Sequence, residues 1–305
     1  MGDFVRQQHT VTGFSSSDSW VILSPIEQSI KRKIEAVGVP LKDWDIQIYR
    51  GVLTGCNEAF IISSAKREEI LSNCRNSEER KHTEEIIRPI LRGRDIRRYG
   101  YDWAGLWLIN THNGIKGKVE RIHIEDYPAV KAHLDKYWDK ISIRADQGDT
   151  PYNLRNCAYL EDFMKTAVVW ARLTRISKKD IDDFPRFCHV EAGMFVADSL
   201  CFFTGVNTEL LCRMLNSTYA AYYFFRNVPI LDNGGLQMRQ QFVEQIPFPR
   251  SLKDVSVYRE DTLYKAFNFT KKEIDFIQEF VCVHKKEIVN VTDDGALLEM
   301  KRGCI

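Results

Sequence analysis

Short strand-like runs and helical runs follow one another along this chain without the regular alternation of a βαβ fold. Alternating or continuously apolar runs predict strands at 45–50, 59–62, 105–109, 167–172 and within 194–203. Apolar residues at helical spacing predict helices at 126–141 and 208–225. Because strands and helices are mixed without βαβ order, we expect an α+β fold with a mixed or antiparallel sheet.

Two helices carry sequence signals for their first turns. Ser24 is placed to cap a helix that begins with a proline, Glu27 completes a capping box, and Gly38 ends the helix. Thr270 and Glu273 form the same kind of pair ahead of a second apolar stripe. Both helices need a surface against which to bury their stripes, which is either this chain's own core or a partner.

The composition changes after residue 249, where the last of two closely spaced prolines is followed by a helical pattern. We therefore predict a main domain at 1–250, with a polar lead-in at 1–19, and a C-terminal helical segment at 251–305. A chain of 305 residues can form one large domain or two of ordinary size.

The net charge of +1 identifies no partner by itself. A nucleic-acid binder with this balance must concentrate its positive charge locally. None of the eight cysteines forms a CxxC pair, and the adjacent Cys188 and His189 are poorly spaced for zinc. We expect free thiols and no metal. Without a signal peptide or an apolar run near 20 residues, we expect a cytoplasmic protein with no membrane contact.

The densest positive charge lies at 88–99, where five arginines face one aspartate. Arginine makes forked hydrogen bonds to phosphates and to guanine edges, so this run is a candidate DNA-binding segment. The alternative is a solvated surface loop in which salt bridges neutralise the arginines. The candidate site residues from this run are Arg92, Arg94, Arg97, Arg98 and Tyr99.

A glycine-rich loop at 49–58 is a second candidate. It offers backbone N–H groups and the polar side chains of Arg50, Thr54 and Asn57, which could hold a phosphate or contact a base. It is not a nucleotide-binding P-loop, because the terminal Gly-Lys-Ser/Thr is missing. The alternative is an ordinary turn between two strands.

Two further loops complete the candidate interface. At 144–156, Arg144 and Arg155 could bind phosphates, and Tyr152 could stack on a base or pack within the loop. At 232–241, Arg239 and Gln240 could contact phosphate and adenine, since amides pair with adenine edges. The alternative for this last segment is a plain turn that enters a helix.

Catalytic motifs for methyl transfer are missing from the sequence. The nearest match to an Asn/Asp-Pro-Pro-aromatic loop is 227–230, which lacks the second proline and the aromatic residue. Asp294, Glu299 and Lys301 match the Asp…Glu-x-Lys pattern of a metal-dependent nuclease, but the spacing between the aspartate and the glutamate is short. We expect no catalytic residue in this chain. The nuclease and a protein-interaction module without DNA contact remain as alternatives.

Seven stretches occur in a fixed order and cover about 20–250, namely 40–46, 50–62, 90–96, 126–130, 150–155, 215–217 and 244–249. Together they resemble the C-terminal specificity domain of TaqI-like DNA methyltransferases, as found in single-chain type IIG restriction-modification enzymes. The resemblance implies that this chain recognises a target sequence in double-stranded DNA, while another domain methylates adenine at N6 after flipping it out of the duplex.

The same resemblance implies where the cofactors are. S-adenosylmethionine, and magnesium for cleavage, would bind a methyltransferase or nuclease part that this chain lacks, linked in cis or associated in trans. We therefore expect no cofactor in this chain. The sequence leaves open whether the chain is a fragment or a separately encoded subunit, and which DNA sequence is recognised.

Overall fold

The computed structural model describes residues 23–253 and 256–302, with side chains as far as 291. Helices span Pro25–Val37 (α1), Asn57–Phe60 (α2), Ser64–Ser72 (α3), Ser77–Ile86 (α4), Pro128–Asp135 (α5), Trp138–Ile141 (α6), Thr208–Leu215 (α7), Thr218–Asn227 (α8), Gln240–Val243 (α9), Glu260–Ala266 (α10) and Lys271–Arg302 (α11). Strands span Gly38–Pro40 (β1), Ile46–Arg50 (β2), Ile61–Ser63 (β3), Ile87–Leu91 (β4), Leu106–Ile109 (β5), Ala167–Ala171 (β6), Phe187–Val190 (β7), Phe195–Val196 (β8), Leu200–Gly205 (β9) and Pro247–Pro249 (β10). The fold class is α+β, as expected.

A four-stranded antiparallel sheet in the order β2-β9-β6-β7 forms the centre of the molecule. Its inner strands β6 and β9 are buried on both faces, and successive side chains along β6 enter different cores. Trp170 packs with Phe187 and Phe203 on one face, whereas Val169 and Phe202 lie in the core on the other face. This period of two follows from strand geometry, and it lets one sheet serve two cores.

A second sheet, in the order β3-β5-β4-β8, contributes to the core that contains Val169 and Phe202. Its β3-β5 and β5-β4 pairs are antiparallel, and β4 runs parallel to β8. Ile70, Ile86 and Val130 from helices α3, α4 and α5 belong to the same core. The second sheet, these short helices and one face of the central sheet therefore share a single core.

The helix α1 begins as its capping box predicts. The Ser24 hydroxyl accepts the N–H of Glu27, and the Glu27 carboxylate accepts the N–H of Ser24. Gly38 is also the first residue of β1, which pairs with β10. The local signals and the long-range pairing therefore agree at this corner.

The long C-terminal helix α11 packs on this chain's own core. Its capping box is formed, since the Thr270 hydroxyl accepts the N–H of Glu273 at 3.4 Å and the Glu273 carboxylate accepts the N–H of Thr270 at 2.6 Å. Ile277 and Val281 are buried, and the Phe280 ring lies 5.1 Å from that of Tyr222 on α8. Between Ile277 and Val289, the apolar stripe of α11 is thus covered by this chain's own core. No helix in the described part of the chain is long and apolar enough to cross a membrane.

Three predictions of secondary structure need correction. The predicted strand at 59–62 begins with the helical turn α2, and only Ile61–Ser63 is extended. The helix expected at 126–141 is divided into α5 and α6. The helix expected at 208–225 is divided into α7 and α8, because Ser217 caps a new helix by accepting the N–H of Ala220. A capping serine competes with continued helix at that point.

Candidate nucleic-acid interface

Most of the arginines at 88–99 are engaged inside the protein. The chain up to Leu91 is the buried strand β4, and the loop follows it. The Arg92 guanidinium pairs with the buried Asp95 carboxylate at 3.4 Å, and Arg97 pairs with Asp102 at 2.9 Å. The Arg94 side chain is exposed and makes no hydrogen bond or ion pair within the described residues. Arg94 is therefore the arginine of this run that is free to bind a phosphate.

Arg98 connects the arginine run to the loop before β7 and to the break between α7 and α8. Its guanidinium donates to the carbonyl of Asn216 at 2.6 Å and to that of Asp182 at 3.1 Å. Tyr99 follows with a positive φ of 70° and donates its N–H to the carbonyl of Phe187 at 2.9 Å. These bonds attach the run to the loop before β7. Arg98 is thus a structural residue, whereas the Tyr99 ring is 51% exposed.

A basic loop that the sequence analysis missed lies beside Arg94. Residues 172–179, directly after β6, contain four basic residues and no acidic one. This run was a usable signal, but its neighbours in sequence gave no reason to connect it with the arginines at 88–99. In the structure Gly93 lies against Ala171, so close that a Cβ at Gly93 would be 3.9 Å from the Ala171 Cβ. Arg175 is exposed and makes no ion pair or hydrogen bond through its guanidinium in the described structure.

These two segments enclose a cleft of about 420 Å³, which we call the arginine cleft. It is lined by Gly93, Arg94, Ile96, Ala171, Leu173, Thr174, Arg175, Ser177, Asp180 and Arg186. One lining arginine, Arg186, is neutralised by Asp180 at 3.0 Å. The remaining lining arginines, Arg94 and Arg175, therefore give the cleft an uncompensated positive charge.

The segment that carries Arg239 and Gln240 borders this cleft, although it is distant in sequence. Leu236 exchanges backbone hydrogen bonds with Thr174 at 2.8 and 3.0 Å. The Trp170 indole donates to the carbonyl of Met238 at 2.7 Å. The Arg239 side chain is exposed and has no partner among the described residues, while the Gln240 amide donates to Glu244 at 3.1 Å. Arg239 thus adds a third unpaired guanidinium near the end of β6.

Arg50 lies at the same end of the central sheet. Its guanidinium pairs with the Asp198 carboxylate at 3.3 Å and donates to the Asp198 carbonyl at 3.3 Å. Arg172 donates to the same carbonyl at 3.1 Å. Two guanidinium groups thus meet at one residue that carries a single negative charge. This arrangement extends the positive surface from the arginine cleft towards the loop at 51–58.

The predictions for Thr54 and Arg144 need correction. Arg144 is 7% exposed, and its guanidinium donates to the backbone carbonyls of Thr54, Pro151 and Asn153. It also lies 4.3 Å from the centre of the Phe60 ring. Burial lowers the pKa of Arg144 to about 10. Arg144 holds two loops together from inside, and its donors are not available to DNA.

Thr54 is 2% exposed, and its hydroxyl donates to the Asn57 amide oxygen at 2.6 Å. It therefore supports the turn and cannot contact a base in this conformation. Asn57 is exposed at the first position of α2. Of the three polar side chains predicted in this loop, Arg50 and Asn57 are therefore on the surface and Thr54 is not.

Tyr152 and Arg155 lie in the loop that Arg144 holds. The Tyr152 hydroxyl donates to Asp135 at 2.6 Å, and its ring lies 5.4 Å from that of Trp138. Arg155 is exposed and pairs with Asp146 at 3.2 Å. Both side chains reach the surface but are paired with acidic residues. They form a second and less positive area than the arginine cleft.

The described residues contain no group of three or more His, Cys, Asp or Glu side chains that could hold a metal ion. Asp294, Glu299 and Lys301 of the nuclease alternative lie in α11, in the part whose side chains are outside the described residues. That alternative therefore stays a prediction. The arrangement that the described residues do provide is a set of free guanidinium groups around a cleft, which is suited to a polyanion.

No family model matches this chain, and no curated protein matches its sequence. Among solved structures, the chain is similar to the type IIG restriction endonuclease BpuSI, with a TM-score of 0.50 and 15% identity over 88% of this chain and 32% of that one. The type IIL restriction-modification enzyme MmeI, solved in complex with DNA, has a TM-score of 0.46 and 11% identity over 82% of this chain and 36% of that one. The chain thus spans about a third of each enzyme. The likeness to BpuSI shows a shared fold.

Proposed function

We propose that this chain recognises double-stranded DNA as the specificity part of a restriction-modification enzyme. The observation that carries the proposal is the arginine cleft, where Arg94 and Arg175, with Arg239 beside them, present guanidinium groups without partners among the described residues. A guanidinium that is not neutralised within the protein is free to replace the counterions of a phosphate. The fold shared with BpuSI and the resemblance of the sequence motifs to TaqI-like specificity domains support the same proposal.

The division of work follows from the geometry. Arg94, Arg175 and Arg239 bind backbone phosphates and set the position of the duplex, and they do so with little regard to sequence. The exposed Asn57 and the half-buried Gln240, whose amide donates to Glu244, are the candidates for contacts to base edges. Arg50 and Arg172 meet at Asp198 between them and continue the positive surface.

In this proposal the methyl-transfer and cleavage chemistry belong to another part of the enzyme, in cis or in trans. That part would bind S-adenosylmethionine, and magnesium where cleavage occurs. The role of this chain is to hold the duplex on one side while the target adenine is turned out of the stack towards the catalytic part.

A salt titration of DNA binding tests the proposal. The chain should bind a duplex of about 25 base pairs with an affinity that falls steeply as salt rises, because each phosphate contact releases counterions. The double variant Arg94→Ala/Arg175→Ala should weaken binding for every duplex sequence. It should also lower the slope of log K against log salt by about two, since about 0.9 is lost per phosphate contact.

The matched control is Lys81→Ala/Lys272→Ala, which removes the same charge from exposed residues that do not line the cleft. It should leave both the affinity and the salt slope close to those of the unchanged chain. Equal losses in the two double variants would show that net charge, and not the cleft, determines binding. A chain that binds no duplex at low salt would instead favour the protein-interaction module and contradict the proposal.

A further inference from the structure

Three consecutive apolar residues lie on the surface beside the arginine cleft. Pro229, Ile230 and Leu231 are all exposed, with Ile230 at 43% and Leu231 at 38%. Leu173, which lines the cleft, is 45% exposed. Single exposed apolar side chains are common on protein surfaces, but a continuous exposed run of this length is unfavourable unless it serves a contact. The run therefore indicates a contact with a partner.

The exposed run belongs to a hairpin at 229–237, which we call the apolar hairpin. The N–H of Leu231 donates to the carbonyl of Gly235 at 2.9 Å. The Leu173 side chain lies over the same glycine, because a Cβ at Gly235 would be 3.0 Å from the Leu173 Cδ1. Leu173 and Leu231 thus adjoin one residue, and Leu173 also lines the cleft. The apolar hairpin and the exposed leucine of the cleft therefore form one apolar patch.

The apolar hairpin is held firmly at its base. Val228 and Leu236, on either side of the exposed run, are buried at 5% and 0% exposure. Leu236 also exchanges two backbone hydrogen bonds with Thr174. Gly234 in the turn has a φ of 74°, which glycine adopts without strain. The exposed side chains are therefore presented on a preformed structure, which lowers the entropy cost of binding a partner.

The charges beside this patch indicate which partner covers it. Arg94 and Arg175 line the cleft together with Leu173, and Arg239 follows the apolar hairpin. Cations next to aliphatic side chains match a DNA duplex, which presents rows of phosphates on either side of its stacked bases. Proline, isoleucine and leucine are also among the residue types that proteins insert between base pairs. Charge complementarity therefore identifies the partner as DNA.

The one acidic residue of the apolar hairpin, Asp232, is exposed at its turn. A carboxylate at this position is repelled by phosphates, but it can accept a hydrogen bond from the amino group of cytosine. The position of Asp232 therefore favours contact of the hairpin tip with the bases over contact with the DNA backbone.

We propose that the apolar hairpin is a wedge that enters between base pairs of the DNA bound in the arginine cleft and kinks the duplex. Ile230 and Leu231 cover the face of a partly unstacked base pair, while Arg94 and Arg175 hold the phosphates beside it. Unstacking is unfavourable, and burial of the two aliphatic side chains offsets it. The inference rests on the proposed function, because the cleft holds the DNA, and it adds that the bound duplex is kinked.

Energy transfer between fluorescent dyes at the two ends of the duplex measures the kink. The unchanged chain should raise the transfer efficiency when it binds, because a kink shortens the end-to-end distance. Ile230→Ser/Leu231→Ser should abolish this rise and weaken binding about tenfold, because apolar burial is lost. It should leave the salt slope unchanged, since the phosphate contacts remain. Ile230→Val/Leu231→Met keeps apolar side chains and should keep the rise.

A second duplex, with one mismatched pair at its centre, tests the unstacking step. Because the mismatch is already partly unstacked, the unchanged chain should bind this duplex about tenfold more tightly than the fully paired one. Ile230→Ser/Leu231→Ser should bind the two duplexes equally. Arg94→Ala/Arg175→Ala should bind both more weakly and retain the preference, because it removes phosphate contacts and leaves the wedge in place.

The matched control is Val206→Ser/Val257→Ser. These valines are 53% and 62% exposed and do not line the cleft. Val206 follows the end of β9, whereas the cleft lies near its start. The control should leave the transfer efficiency, the affinity and the mismatch preference unchanged. Thermal unfolding checks that every variant is folded at the temperature of the binding measurements.

Salt-dependent binding without a rise in transfer efficiency would overturn the inference and leave the proposed function standing. The same holds for a rise that persists in Ile230→Ser/Leu231→Ser. Failure to bind either duplex at low salt would contradict both proposals. If Ile230→Ser/Leu231→Ser kinks DNA normally but no longer associates with the methyltransferase part of the same system, the patch is a protein contact, and the inference is wrong.

Discussion

The partners of each arginine, and not its place in a basic run, decide what it does in this protein. Arg144 donates to three backbone carbonyls from a buried position, whereas Arg94 has no partner in the described residues. Both are arginines in sequence segments that suggest DNA binding. The first is a structural bridge, and the second is a free cation on the surface.

Replacing Arg144 with Met should lower the free energy of unfolding by about 3 kcal/mol, because buried carbonyls lose their donors and the loops at 54 and 151–153 separate. Arg94→Ala should change it by less than about 0.5 kcal/mol, since an exposed and unpaired side chain contributes little. Urea denaturation measures both values. If the Arg144→Met variant were as stable as the unchanged chain but bound DNA more weakly, Arg144 would be a DNA-binding residue and not a structural one.

At the scale of elements, single polar residues decide where helices end and how they attach to the sheet. Asn216 is fully buried at the break between α7 and α8. Its side chain donates to the carbonyl of Phe187 at 2.7 Å and accepts the N–H of Phe187 at 3.0 Å. Its own carbonyl accepts the Arg98 guanidinium. One amide thus joins the helical layer to β7 and to the arginine run.

Asn216→Leu should therefore lower the free energy of unfolding by about 3 kcal/mol, because the N–H of Phe187 loses its side-chain acceptor and the carbonyl of Phe187 loses one of its donors in a dry interior. The matched variant Asn227→Ala removes an exposed amide that bonds only within its own helix, and it should cost less than about 0.5 kcal/mol. Thermal or urea unfolding of the two variants gives the comparison. Similar values for both would show that Asn216 acts only as a helix terminator.

The attachment of α11 to α1 depends on pH through Glu273. Burial opposes ionisation of this carboxyl, but hydrogen bonds from Lys33, Thr270 and Ser29 outweigh that effect and lower its pKa to about 2. The Lys33 ammonium is 2.7 Å from the carboxylate. Since the folded pKa lies below the unfolded value of about 4.3, the carboxylate stabilises the fold at higher pH.

This contribution should be complete above about pH 5 and should disappear as the pH falls towards 2. Glu273→Gln should lower the free energy of unfolding by about 2 kcal/mol at pH 7 and flatten its decline in acid. Glu279→Gln, at an exposed position on the same helix, should follow the unchanged chain. Denaturation curves between pH 2 and pH 7 decide the matter, and a steep acid decline that persists in Glu273→Gln would refute this assignment.

At the scale of the whole molecule, one sheet between two cores carries the proposed DNA surface at one of its ends. The ends of β2 and β6 and the start of β9 meet there, and Arg175 lies in the loop after β6. Arg94, after β4 of the second sheet, and Arg239, before α9, belong to segments that lie beside this loop. As far as residue 291, the amphipathic helices α1 and α11 bury apolar side chains on this chain's core, and they contact each other through Glu273.

The proposed division of labour predicts that the purified chain leaves duplex DNA unmethylated and binds no S-adenosylmethionine in calorimetry. Adenine methylation should appear when the methyltransferase part of the same system is added, as a fusion or as a separate subunit. The variant Arg94→Ala/Arg175→Ala should lower that reconstituted rate, because the duplex is held less firmly. Methylation by this chain alone, or a micromolar heat signal for the cofactor, would contradict the proposal.

The sequence by itself determined the features whose causes lie within one helical turn or one strand. The capping pairs Ser24/Glu27 and Thr270/Glu273 set the starts of two helices, and alternation at 45–50 indicated β2, because these signals act between residues a few positions apart. The α+β class followed from the order of such elements. No such local signal indicated that the apolar run at 59–62 would begin with a helical turn.

Tertiary structure alone decided which polar residues form the candidate site. Arg144 is buried because two distant loops supply carbonyl acceptors, and Arg94 is free because Asp95 is taken by Arg92. The loops at 172–179 and 235–240 meet through the backbone bonds between Thr174 and Leu236, and the loop at 92–99 meets them because Gly93 lies against Ala171, although β4 and β6 belong to different sheets. Burial and charge pairing depend on such long-range neighbours, so a residue's own sequence context cannot determine them.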